Sequence, residues 1–406
     1  MGHSHAHPSG PGTSSQRGRV LLAAILVPCL LAVVAGLVLL WPGDVRTSDA
    51  TRDVVPAEVV DAEVTAVRVA PCGSLAEEEA GATGAQQCLL ATFALQGGPD
   101  EGTEQQLEID PSAGQPEVAV GDDVRLSLYV DAVGTTTYAF TDFQRGRPLL
   151  LLGLLTAAVV VAVARWRGLA AVLGIGVAGV GLIAFVLPAL LDGKPPLLVA
   201  LTAAGALLPL LLYLAHGPSA RTSAALAGTL LSLALCAVLS VLAVEAARLT
   251  GLSSDDAVAL QGFDRDLDVT QLLICGFVIG ALGALNDVTI TQASAVWELS
   301  AGGAGVRESY ARAMRIGRDH IASSVYTLVF AYAGTALPLL LVFVVLDRPA
   351  LDVVGSDLIA VEVVRTLVGT LGLVASVPIT TARAALAAGG PAPAGEARHL
   401  ASPSPA

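Results

Sequence analysis

Residues 272–320 read LLICGFVIGALGALNDVTITQASAVWELSAGGAGVRESYARAMRIGRDH. From Leu272 to Asn286 the stretch is apolar and glycine-spaced, as a membrane-crossing helix is; beyond Asn286 the helical pattern carries on with polar residues along one side. Asp287, Thr291, Ser294 and Glu298 stand at i, i+4, i+7 and i+11, so a 3.6-residue period sets all four on one face. A polar stripe that prolongs a membrane span is a candidate lining for a path or an ion site. Gly276, Gly280 and Gly283 precede it, and small residues at such spacings let a neighbouring helix come close. That packing would hold the helix at the bundle centre and turn Asp287 toward protein.

The rest of the chain supports a bilayer as its solvent. Hydrophobic residues make up 54% of the 406 and charged residues only 14%, a balance foreign to a water-soluble domain of this length. Crossing about 30 Å of hydrocarbon takes roughly 20 apolar residues. About eight such stretches occur, at Val20–Leu40, Leu149–Ala164, Leu169–Leu191, Leu197–Ala215, Ala224–Val244, Val269–Asn286, Ile321–Leu346 and Val361–Thr381. The expected fold class is mainly α, a polytopic transmembrane helical bundle. The first stretch runs on to Trp41-Pro42-Gly43 with no A-x-A cleavage pattern, so residues 20–40 are expected to be an uncleaved anchor and residues 148–383 a seven-span bundle.

Residues 44–145 follow another period. Alternating or β-branched runs at Ala57–Val69, Cys88–Gln96, Glu104–Asp110, Asp123–Val130 and Thr136–Phe143, separated by Gly, Pro and Asp turns, predict a small extracytoplasmic β-barrel-like domain of the OB type. Most of the acid behind the formal charge of −13 lies here. Solubility beside an anionic membrane accounts for it, and nucleic acid is an unfavourable partner for such a surface. Cys72 and Cys88 are a disulfide candidate in an oxidising exterior, whereas Cys29, Cys236 and Cys275 sit in apolar spans as small hydrophobes. Both ends, residues 1–19 with His3, His5 and His7 and residues 389–406, read as disordered cytoplasmic tails without the fixed geometry of a metal site.

Arginines in the short loops set the expected orientation. Arg17/Arg19, Arg165/Arg167, Arg221, the Arg307–Arg318 cluster and Arg383 fall on one side, which puts both termini in the cytoplasm; Arg145, Arg147, Lys194, Arg248 and Arg348 dissent. Arg312 and Arg315 suit an amphipathic segment on an anionic leaflet. Arg318 and Asp319 begin a span, and Arg318 is a candidate counter-charge for Asp287 or Glu298. Asp287 itself has two readings, an interfacial acid in cytoplasmic water or a group in a water-filled cavity, because a carboxylate facing lipid costs at least ~2.5–3.5 kcal/mol. Ser323, Ser324, Tyr326, Thr327, Tyr332 and Thr335 make the next span polar, and Pro338 is placed to break it. Glu362 and Arg365 are spaced as a local ion pair, and Glu245 and Asp268 are candidates to join them around an outer vestibule.

No G-x-x-x-x-G-K-[ST], H-E-x-x-H or G-x-S-x-G motif occurs, so no enzyme activity and no cofactor are expected. Taken together, GALGALNDVTITQASAVWEL at Gly280–Leu299, IGRDH at Ile316–His320, AYAGTALPLLL within Thr327–Leu341, GTLGLVASVPITT in the Arg365 span and FTDFQR at Phe140–Arg145 resemble the YibE/YibF-like family of bacterial membrane proteins. His320 stands where that pattern leads one to expect an apolar residue. The resemblance implies a multi-pass protein of the plasma membrane, a transporter or permease of unknown substrate. The alternative is a non-transporting scaffold or sensor that binds a partner through its outer domain. Expected partners are the lipid bilayer, a second copy or a separate subunit, and an unidentified small solute or ion.

Overall fold

The computed structural model describes residues 16–43, 58–72, 87–109, 117–130, 136–263, 267–347 and 349–388. The tail readings for residues 1–15 and 389–406, and with them the three histidines, lie outside the described residues. The chain divides into two compact units, residues 47–160 and residues 1–46 with 161–406.

In the first unit, β1 (Glu58–Pro71), β2 (Gln87–Leu95), β3 (Glu104–Ile109), β4 (Asp123–Val130) and β5 (Thr136–Phe143) form one antiparallel sheet in the order β3-β2-β1-β4-β5. All five expected strands are present. Alternation decides the buried face: Val60, Ala62 and Val64 of β1 turn inward with Phe93, Leu126 and Ile109, while their neighbours meet water. β1 pairs first with β4 and then with β2, and its register shifts between Val64 and Ala66, which curls the sheet. The edge strands β3 and β5 approach each other, but no hydrogen-bonded ladder joins them among the described residues. The expected OB-type barrel is thus found as a curled five-stranded sheet. The Cys72–Cys88 disulfide ties the end of β1 to β2, with 5.0 Å between Cα atoms.

Tyr138 on β5 reaches the turn between β2 and β3, its hydroxyl donating to Asp100 Oδ2 at 2.8 Å. That turn needs Gly98 at φ 82°, and a Cβ there would lie 2.5 Å from Val60 Cγ1. Burial and the Asp100 carboxylate push the Tyr138 hydroxyl up from 10.0 to about 12. A raised phenol favours the fold while it stays protonated, so this support is complete below pH 10 and disappears as pH rises through about 12. Tyr138→Phe should cost about 1 kcal/mol. Amides of residues 96–103 would then exchange about five-fold faster, and the pH dependence between 10 and 12 would vanish.

The second unit is helical. Its elements are α1 (Gln16–Leu39), α3 (Trp166–Gly181) continued through a π turn (Leu182–Val186) into α4 (Leu187–Leu191), α5 (Pro196–His216), α6 (Ala220–Ala247), α7 (Asp255–Phe263), α8 (Val269–Ala301), α9 (Val306–Thr335), α10 (Leu337–Val345), α11 (Ala350–Val354) and α12 (Asp357–Ala388); α2 (Gly146–Ala164) leads into it from the sheet unit. Among the described residues, seven helices are long and apolar enough to cross a membrane. An eighth results if α9 and α10 are one span, bent by 59° before Pro338, whose ring cannot continue the α9 hydrogen-bond ladder. Apolar helices occur where the sequence placed the spans, but α8 and α12 extend further, to 33 and 32 residues, and the stretch expected at Ile321–Leu346 is found as α9, which starts at Val306, and α10. α2 buries no residue and shows Leu149–Leu152 to its surroundings, as a lipid-facing helix does.

The centre of this unit is where α6, α8 and α12 pack. α6 turns alanine, glycine, serine and threonine inward from Ala224 to Ser240, which lets backbones come close enough for van der Waals contact. A Cβ added at Gly372 of α12 would lie 1.9 Å from Cys236 Sγ, and one at Gly228 of α6 would lie 2.2 Å from Thr380 Oγ1. The glycines singled out on α8 do not act this way. An added Cβ would meet nothing within 4 Å at Gly276 or Gly283 and only the Tyr332 hydroxyl, at 3.5 Å, at Gly280. These three face outward, because the large apolar side chains on the other side of α8, Phe277, Val278 and Leu285, fill the interior.

Candidate functional site: a buried polar node

The interior face of α8 beyond the apolar half carries Thr289 and Gln292, both fully buried, on the side of the helix opposite the stripe that the sequence emphasised. α6 sets Thr229 against Thr289, with 2.6 Å between hydroxyl oxygens. α12 brings Thr381 to Gln292, Oγ1 to Oε1 at 3.1 Å, and α9 brings Gly317, where a Cβ would lie 2.9 Å from Gln292 Nε2. α9 and α12 therefore meet α8 around the Gln292 amide, and α6 meets it one turn away at Thr289. The threonine and serine hydroxyls satisfy themselves mostly on their own helices: Thr229 donates to Ala225 O, Ser232 to Gly228 O and Ser376 to Leu373 O. This local bonding is why a hydroxyl-rich helix is tolerated in an apolar bundle.

The node is not fully satisfied. Thr381 has one hydroxyl proton and two acceptors, Val377 O at 2.6 Å and Gln292 Oε1 at 3.1 Å. The shorter bond holds the proton, so Gln292 is better served by turning its amide over and donating from Nε2. Either orientation leaves one Gln292 amide atom without a partner, Nε2 in the first and Oε1 in the second. Thr380 Oγ1, Asn286 Oδ1 and His320 Nε2 are also buried without a hydrogen bond. Each such atom costs about 1–3 kcal/mol. Asn286 lies about 9 Å along α8 from Gln292, and His320, within a turn of Gly317 on α9, stands beside Asp287, so the unsatisfied atoms are spread along α8 and its contact with α9.

The stripe expected to line a path lies on the opposite side of α8. The Asp287 side chain is 70% exposed, and its nearest charged neighbour is His320, with 3.8 Å between Oδ2 and Nε2, beyond hydrogen-bond reach. Thr291 and Ser294 are half-buried and Glu298 is exposed; the Thr291 hydroxyl donates to the Asp287 carbonyl. Arg318 and Asp319 are exposed, and neither pairs with Asp287 or Glu298 among the described residues. The counter-charge expected of Arg318 is therefore not made within the chain. α8 is apolar on nearly every side, so the spacing of its polar residues identified a face without fixing which way it points. Gln292 belongs to the polar residues that the sequence offers beyond the span; the missed residue, Thr289, had a signal, since both share a face with Leu285 and Val296, which are fully buried.

Other expectations resolve plainly. Arg365 Nη1 donates to Glu362 Oε1 at 2.8 Å and Oε2 at 3.0 Å, and its guanidinium lies over the Phe277 ring at 5.3 Å, so the local pair also ties α12 to α8. Glu245 and Asp268 line one cavity of about 430 Å³ together with Arg248 and Gln261; Glu362 is not among the residues around it. Arg312 pairs with Glu308 on its own helix. Among the described residues one group, Cys72, Cys88 and Glu108, clusters three metal-type ligands, and its sulfurs are joined to each other.

Among the described residues, seven or eight helices long and apolar enough to cross a membrane, with a curled β-sheet between α1 and α2 in the chain, define a multi-pass membrane protein. The family model described as YibE/F-like protein matches residues 152–390, more than half of the chain, and the chain belongs to that family. The match spans the helical bundle and leaves α1, the sheet and the Phe140–Arg145 motif outside. No curated protein and no solved structure matches.

Proposed function

We propose that this protein is a plasma-membrane permease for a small solute or ion, without enzymatic activity, whose path runs through the node at Gln292. The observation that supports this is the collection of unsatisfied buried polar atoms at Gln292, Thr380, Asn286 and His320 inside an apolar bundle. A helix bundle that only anchors a domain gains nothing from them; a path needs polar groups that exchange partners with what passes. The tight contacts at Gly228 and Gly317 make the described arrangement a closed one. Transport then requires α9 or α12 to shift away from α8.

The orientation proposed has both termini in the cytoplasm. It rests on arginines at the joined ends of α6, α8, α9 and α12: Arg221, Arg307, Arg315 and Arg383. In this orientation the segment between α1 and α2, which carries the curled sheet, is extracytoplasmic.

A thiol-accessibility scan tests the path without knowledge of the substrate. With Cys29, Cys236 and Cys275 replaced by Ala, Gln292→Cys and Thr380→Cys should react with a small membrane-impermeant thiosulfonate in vesicles, at least tenfold faster than Cys placed at Leu373. Equal, negligible reaction at all three positions would mean a dry bundle and leave the scaffold or sensor reading. Thr380→Val, which keeps the shape and removes an unpaired hydroxyl, should leave melting unchanged or raise it while slowing passage through the node.

A further inference from the structure

The outward face of α8 is not a lipid face. It begins with Gly276, Gly280 and Gly283, all exposed, with open space beside Gly276 and Gly283. It continues through Asp287, Thr291, Ser294 and Glu298, and at 100° per residue the whole stripe drifts by only about 40°. The exposed faces of the other apolar helices show mainly leucine and valine, as at Leu149–Leu152 of α2 and Leu30 and Leu31 of α1, with single glycines such as Gly153 and Gly176, whereas α8 shows three in line. Bare glycine backbone gives acyl chains little to pack against, and an ionised Asp287 beside them costs at least ~2.5–3.5 kcal/mol. The face is built to meet protein.

Its charges identify the partner. α8 and α9 are antiparallel in a fixed register: Ser300 lies opposite Ser309 with hydroxyls 3.1 Å apart, Gln292 opposite Gly317 and Asp287 beside His320. At 1.5 Å per residue this register sets Arg318 about 6 Å in height from Asp287, and Arg315 about 6 Å from Glu298. Both arginines point away from the buried side of α9, marked by Ala313 and Gly317, and neither they nor Glu298 have an ion-pair partner among the described residues. One chain thus carries two acids and, about 6 Å inside them in height, two arginines, an offset that an extended arginine side chain spans. We infer that a second copy of this chain docks here about a two-fold axis along the membrane normal, Arg318 and Arg315 of each copy reaching Asp287 and Glu298 of the other. Such an axis preserves height, so a single surface makes both pairings twice. The contact does not depend on whether a solute crosses the node.

The test uses the full chain in lipid nanodiscs and in native membranes, with Cys29, Cys236 and Cys275 replaced by Ala. Ser294→Cys should link by mild oxidation or a short bis-maleimide to a species of twice the mass, and native mass spectrometry of the unlinked chain should show a dimer. Gly276→Leu with Gly283→Leu, placed where the monomer has room, should lower the dimer fraction at least tenfold without changing the melting temperature. Glu298→Arg should weaken the dimer, and adding Arg315→Glu should restore it; this exchange stays informative if the glycine variants fail to fold. A monomeric mass, a cross-link to a different protein, or a dimer indifferent to all four substitutions would overturn the inference.

Discussion

Gly228→Val is expected to remove most of the folded protein from a detergent extract. A Cβ at Gly228 would sit 2.2 Å from Thr380 Oγ1, 2.9 Å from its Cβ and 3.1 Å from its Cγ2. Rotating Thr380 takes its oxygen away but not its Cβ, which is fixed to the α12 backbone, so α6 and α12 must move apart. Overpacking a well-filled contact costs about 1–3 kcal/mol, occasionally more. Here the displaced elements are two central helices, and the expected cost is at the upper end, about 3 kcal/mol. Size-exclusion recovery and thermal melting measure it. Thr380→Gly in the same chain opens the space and should restore most of the loss. A Gly228→Val protein that melts like the parent would show that these helices do not touch at this point.

The second large effect is expected in the sheet. Cys72 and Cys88 are 16 residues apart, and closing a loop of that size removes unfolded-state freedom worth about 3 kcal/mol. Replacing both cysteines with Ala should therefore raise the opening of β1 and β2 roughly a hundredfold, read as loss of protection at Val67, Val69 and Leu90 in hydrogen exchange. α6 and α12 should keep their protection, since they form part of the other unit. Exchange of β1 and β2 at the parent rate would mean that the cross-link contributes nothing to the sheet.

Near the surface of the sheet, Arg145 donates to Asp142 and the Phe143 amide adds a second bond, and together these hold the Asp142 carboxyl below its ordinary range. Such a carboxylate favours the fold while ionised, and its contribution is lost as pH falls through the lowered value. Arg145 was a dissenting charge in the orientation argument. Its pairing with Asp142 at the end of β5 gives it a local role in the sheet unit.

In the sheet unit the sequence alone was enough to place the five strands and to single out Cys72 and Cys88 as the disulfide candidate. Water penalises every apolar side chain that faces it, so alternation along β1 from Val60 to Val64 is a direct record of which side is buried. In the helical unit the sequence likewise marked the segments long and apolar enough to cross a membrane, the bend before Pro338 and the Glu362–Arg365 pair, although α9 begins at Val306, well before the expected Ile321. Only the tertiary structure decided that Thr289 and Gln292, rather than Asp287 and Glu298, face the centre, and that Gly228 and Gly372, rather than Gly276 and Gly283, carry the close contacts. Hydrocarbon accepts leucine as readily as a protein core does, so hydrophobicity along a membrane helix marks depth and length but not direction. Direction is set by which side chains fit against α6 and α12, and that fit exists only once all of the helices are assembled.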